Sequence, residues 1–135
     1  MKKIIILAGI FLLTSCSAHS PFIAKNTANV TTVSQNKYPA HSNKVLLTPQ
    51  TLPESDKIEV LETIEVGKVW YGSNKNVASS LAERARAIGA DAVIDYKTWK
   101  QPSGFSWFAP HGSGKAIKIL DKSSIDLSSI QGEWL

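Results

Sequence analysis

The sequence predicts a small α+β domain of order β-β-α-β-β, with one helix packed on a mostly antiparallel sheet and a flexible tether before it, and three observations predict it. Ile58, Val60, Glu62, Ile64 and Val66 alternate with their neighbours, which is the period of a strand buried on one side. From Lys75 to Ile88 the period changes. Val77, Ala78, Leu81, Ala82, Ala85 and Ile88 recur at spacings of three and four and form one helical stripe, with Glu83, Arg84 and Arg86 on other faces. Ala92-Val93-Ile94 follows Gly89 almost at once, so the helix turns directly into a strand. One helix set among strands is an α+β order.

Met1-Lys2-Lys3 is a charged start, Ile4 to Leu13 is apolar, and Thr14-Ser15-Cys16 turns small and polar, which is the anatomy of a secretion signal over residues 1–15. A membrane-spanning helix needs about 20 apolar residues, and this run is shorter and interrupted by Gly9. Residues 16–43 are rich in Ala, Asn, Thr, Ser, Gln and Lys without a sustained period, and read as a flexible tether of about 30 Å mean span. The alternative is that Pro21-Phe22-Ile23 or Tyr38 packs back on the domain.

The domain is placed at residues 44–122. Lys44-Val45-Leu46-Leu47-Thr48 is a first strand stopped by Pro49, and residues 51–57 form a loop around Pro53. The strand from Ile58 bends at Gly67 and continues to Val69-Trp70-Tyr71. Gly72-Ser73-Asn74 ends it and offers an N-cap. Gly89 stands where a helix closes through a left-handed residue. The strand from Ala92 runs through Tyr96 and Trp99 until Pro102, and a glycine-bearing segment leads to a last strand near Lys115 to Leu120. In the tail, residues 123–135, the spacing of Ile125, Leu127, Ile130, Trp134 and Leu135 is too irregular to assign.

Composition excludes several classes of function. The single cysteine of the chain is Cys16, so the domain has no internal disulfide. Loss of Lys2 and Lys3 leaves 13 basic residues against 11 acidic, too weak a bias for nucleic acid. His19, His41 and His111 are far apart in the sequence and no thiol lies in the domain, so neither a metal nor another cofactor is expected. No nucleophile has a base at a readable spacing, and the chain is not expected to be an enzyme.

Four resemblances bear on this reading. Leu13-Thr14-Ser15-Cys16 resembles the lipobox of bacterial lipoproteins, which implies diacylglycerol on Cys16, cleavage before it and acylation of the new amine. Ser17 after the cysteine resembles the pattern of lipoproteins sent to the outer membrane. Arg86 to Tyr96 resembles a helix-to-strand segment of medium-chain nicotinamide dehydrogenases, but the turn before the helix lacks their Gly-x-Gly-x-x-Gly and no dinucleotide is expected. Leu81, Ala82, Arg84, Ala85, Ile88 to Ile94 and Gly112 to Ile119 resemble the YbjQ-type and RcsF-like family of small bacterial domains, over about residues 58–120. That resemblance implies the fold. The paired cysteines of the RcsF-like members and a metal site have no counterpart in these residues.

The segment Trp99 to Pro110 interleaves aromatic and proline residues with turn formers. Either Trp107 and Phe108 fold onto a core that needs every apolar side chain, or Trp99, Phe105, Trp107 and Phe108 form a contact surface for a protein partner, a like subunit or the membrane interface. The expected function is a lipid-anchored binding or assembly component of the cell envelope, at the outer membrane and facing the periplasm. The RcsF-like resemblance implies the alternative of an envelope stress sensor that signals to an inner-membrane partner.

Overall fold

The computed structural model describes residues 27–30, 38–53, 55–68 and 70–135. The signal segment, Cys16, His19 and Pro21-Phe22-Ile23 lie outside the described residues. The elements are β1 Thr27–Val30, β2 Leu46–Leu47, β3 Ile58–Gly67, α1 Asn74–Ala87, β4 Ala92–Ser103, β5 Ser106–Ile119, a 3₁₀ turn Leu127–Ser129 and β6 Glu133–Trp134. The strands form one sheet in the order β1-β3-β5-β4-β2-β6. Only β2 and β4 run parallel; the other neighbours are antiparallel. The α+β class with one helix on the sheet is therefore the observed one.

Alternation along the central strands sends side chains to both faces, and both faces are covered. On one, Val77, Leu81, Ala82 and Ala85 of α1 pack with Ile64, Val66, Val93 and Ala116. On the other, Leu46, Ala92, Ile94, Ile117 and Ile119 are covered by Leu52, Ile58, Ile125, Leu127 and Ile130. The residues set apart as a tail thus close the second face. Leu135 exchanges backbone hydrogen bonds with Val45, and the Thr48 hydroxyl donates to the Gln131 carbonyl. The stretch read as a tether also contributes, since β1 lies within it and Tyr38 packs against the helix-side cluster.

Gly89 has φ +80°, as its place at the helix end predicts. The Ala90 N–H donates to the Ala85 carbonyl and the Gly89 N–H to that of Arg86, the two bonds of a Schellman closure. Ser73 takes the N-cap position without a side-chain cap hydrogen bond. Gly112 admits α1, because a Cβ there would meet Val77 Cγ1 at 2.5 Å.

Two strand readings are corrected. Val60 faces Ile117 and Glu62 faces Ala116, so Leu61 is an extra residue in a bulge of β3. The bulge reverses the alternation: Val60 is exposed, Ile58 joins the second face, and Leu61 and Glu62 are both buried toward the helix. Glu62 meets Arg84 there in a fork of 3.0 and 2.8 Å, and its side chain is fully buried. The hydrogen bond to Glu62 raises the Arg84 pKa above the ordinary arginine value.

The second correction concerns Pro102, which does not end its strand. Beyond Val93 no strand borders the outer side of β4 among the described residues, and an edge tolerates a missing N–H. β4 and β5 instead continue to a turn at Gly104 (φ +57°) and Phe105. The ladder of β3 on β5 stops at Gly67 opposite His111. Among the described residues, 106–110 therefore pair as strand only with β4, and the hairpin projects from the sheet as a two-stranded arm.

Candidate functional site

The arm's end is aromatic because its turn and flanking residues are Phe105, Trp107 and Phe108, and a two-stranded ribbon has no second layer to cover them. Phe105 and Trp107 are each 73% exposed and Phe108 is 64% exposed. The reading in which Trp107 and Phe108 fold onto the core is thus corrected: the core is already closed by α1 on one face and the tail on the other.

The structure brings two more rings to this end. The link from β3 to α1 passes beside the arm, where the Lys68 N–H donates to the Pro110 carbonyl at 3.1 Å. Trp70 and Tyr71 on that link are 56% and 57% exposed. The Trp70 ring stands edge-on to Phe105 with centroids 6.0 Å apart, and to Tyr71 at 6.4 Å. Sequence reading placed Trp70 and Tyr71 in a continued strand. The signal that finds them is two adjacent rings directly before Gly72-Ser73-Asn74, with no polar alternation to give them a buried side.

Trp99 separates from this group. It is half-buried on β4, stacks on His111 of β5 at 6.0 Å, and its indole N–H donates to Gln101 Oε1 at 2.8 Å. His111 is itself buried, with Nδ1 3.0 Å from the Ala109 carbonyl. Trp99 therefore stiffens the root of the arm, while Phe105, Trp107 and Phe108 are presented beyond it.

Charge is distributed unevenly about this end. No Asp or Glu occurs between Val66 and Ala82 or between Tyr96 and Leu120, whereas Lys68, Lys75, Lys97 and Lys100 lie on those stretches. Two of the nearer aspartates along the chain are engaged with other lysines. Asp91 pairs with Lys118 at 3.2 Å and Lys122 at 3.6 Å near the opposite end. Asp95, in the left-handed region at φ +52°, is held by the Thr51 hydroxyl and by Lys115, and these lower its pKa below the usual carboxylate range. The end opposite the arm carries a surface cavity of about 300 Å³ between Lys44, Ile119, Ile125, Leu127 and Trp134.

Among the described residues no group of three or more His, Cys, Asp or Glu is placed to hold a metal ion. No helix among them is long and apolar enough to cross a membrane. The arrangement with recognisable chemistry is the basic, aromatic end: broad rings that bury large apolar area, interleaved with cations that attract acidic groups. Comparison of the chain with protein-family models, with curated proteins and with solved structures finds no match.

Proposed function

We propose that this chain is a lipid-anchored component of the bacterial cell envelope, held at the outer membrane through Cys16 and facing the periplasm, that works by contact rather than by catalysis. The observation that carries the contact role is the group of exposed rings at Trp70, Tyr71, Phe105, Trp107 and Phe108. Five exposed rings at one end of a small domain, with Trp70 edge-on to both Tyr71 and Phe105, mark a surface that meets something, since scattered single side chains need no explanation and a cluster does. Support for the anchor is the charged, apolar and small-residue order of Met1 to Cys16.

Cys16→Ala separates the anchor from an ordinary secretion signal. The variant is expected to incorporate no radiolabelled palmitate and to persist as uncut precursor, while the unmodified chain is labelled and shortened. Normal cleavage and labelling of the variant refutes the anchor. A photoreactive residue at position 107 tests the contact role in cells: efficient capture of protein or lipid supports it, and none beyond the level of a residue at exposed Lys122 refutes it.

A further inference from the structure

We infer that the aromatic end docks on the lipid bilayer, with its rings at the headgroup level and its lysines against anionic phosphates, so that the domain is held to the membrane by its own surface as well as by its acyl chains. This rests on the lipid anchor proposed above and names what the contact surface meets. Three independent features of the chain point to lipid.

The first is where the tether joins the sheet. β1 runs antiparallel to β3 with Thr27 opposite Gly67, and Gly67 is opposite His111 at the root of the arm. The chain before Thr27 therefore enters from the side on which the arm projects. Ten residues lie between Cys16 and Thr27, which makes eleven Cα-to-Cα steps. They reach at most about 40 Å when fully extended and span about 18 Å as a coil. The arm rises from His111 to its turn by about five residues of strand, close to 17 Å. A spacer of this length is long enough to bring the acyl chains on Cys16 and the tip of the arm to one plane, with the opposite end of the sheet turned away from it.

The second feature is composition. Tryptophan and tyrosine concentrate at membrane–water interfaces because their rings are apolar while their N–H and O–H groups stay wet. Trp70, Tyr71 and Trp107 are of this type, and Phe105 and Phe108 add purely apolar area at the tip. They lie on the tip of a paired hairpin and on a link, which can enter the headgroup region without exposing a long unpaired backbone to hydrocarbon.

The third is charge. Lys68, Lys75, Lys97 and Lys100 belong to the elements of this end, and the nearest carboxylates along those elements are Glu65, Glu83 and Asp95, the last of which also feels the charge of Lys97. Asp95 is already paired with Lys115. Lysines with long apolar stems suit a position where the stem lies along acyl chains and the ammonium reaches phosphate.

The test uses the full chain, expressed with its signal and reconstituted into vesicles of phosphatidylethanolamine with one quarter phosphatidylglycerol, their acyl chains brominated near the glycerol end to quench tryptophan at the interface. Intact mass reads acylation of Cys16, and emission reads the rings. Trp70→Phe and Trp107→Phe are each expected to remove much of the quenchable emission, whereas Trp134→Phe, at the other end of the sheet, leaves it in place. These exposed positions tolerate phenylalanine, and unchanged melting temperatures check that the variants are folded. An acylated chain whose emission is unquenched, or whose three variants lose quenching equally, overturns the docking and leaves the anchor standing. An unacylated Cys16 overturns both. Stoichiometric capture of one protein from position 107 in cells replaces lipid by a protein partner and also overturns the docking.

Discussion

At the residue scale the most constrained polar group is Glu62, a carboxylate with a fully buried side chain that faces α1 only because the Leu61 bulge turns it there. Its two oxygens are each met by Arg84, whose side chain is 30% exposed. Removing the cation alone leaves a desolvated charge without compensation. Arg84→Met is therefore expected to destabilise the domain by about 3 kcal/mol or more, read as a lower urea midpoint at unchanged slope. Replacing both partners removes the desolvation penalty with the attraction, so Glu62→Leu with Arg84→Met is expected to recover most of that loss. A double variant as unstable as the sum of its single changes shows instead that the pair is held by something other than its mutual charge. Gly89 is a residue of the opposite kind, legible from sequence because a glycine after an apolar stripe has one common structural cause. What the sequence did not disclose is that Tyr38 and Pro39 press on it, so that a Cβ would meet the Pro39 carbonyl at 2.8 Å.

At the element scale, α1 was legible to within a residue at each end, because six apolar side chains at helical spacing have one stripe to form. The strands were legible as strands but not in their detail. A bulge adds one residue without changing composition, so Ile58 and Val66 look like one face when they line two. The C-terminal residues escaped assignment for a related reason: Ile125, Leu127 and Ile130 cover the sheet from irregular chain and a 3₁₀ turn, which impose no period on them. The arm was hidden by Pro102, which reads as a strand end although it lies on an edge, and the residues up to Pro110 read as a connection although Pro110 sits within β5 opposite Lys100. The contact residues were half legible. Phe105, Trp107 and Phe108 were found from their density, Trp70 and Tyr71 came from a link 34 or more residues away, and Trp99 proved to be arm packing. The arm makes its own prediction. Truncating an aromatic side chain in a core costs about 3 to 5 kcal/mol, whereas surface changes usually stay within about 0.5 kcal/mol. Trp107→Ala with Phe108→Ala is therefore expected to leave the urea midpoint of the domain nearly unchanged while lowering contact at position 105, read by a photoreactive residue placed there. A loss of several kcal/mol means that the two rings are packed in solution.

At the scale of the whole molecule, the sheet is polarised along its strands: a basic aromatic arm at one end, and at the other the cavity, Trp134 and the Asp91 ion pairs. β1 ties the direction of the tether to that polarity, because it enters the ladder beside the arm. In the proposed anchored state the acyl chains are a stable hold and the aromatic end a weak one joined to it by a short spacer, so the second hold is strong only in proportion to the concentration the spacer imposes. For a flexible spacer that concentration falls roughly as the −3/2 power of length. Inserting eleven Gly and Ser residues between Cys16 and Thr27 doubles the spacer and is expected to lower the ratio of docked to undocked domain about threefold. Acylation and the melting temperature should be unchanged, since neither the lipobox nor the sheet is touched. Interfacial quenching of Trp107 in vesicles reads the ratio. A fall confined to quenching shows that the spacer length sets the docking, and quenching that ignores the insertion shows that the aromatic end finds the bilayer without help from the anchor.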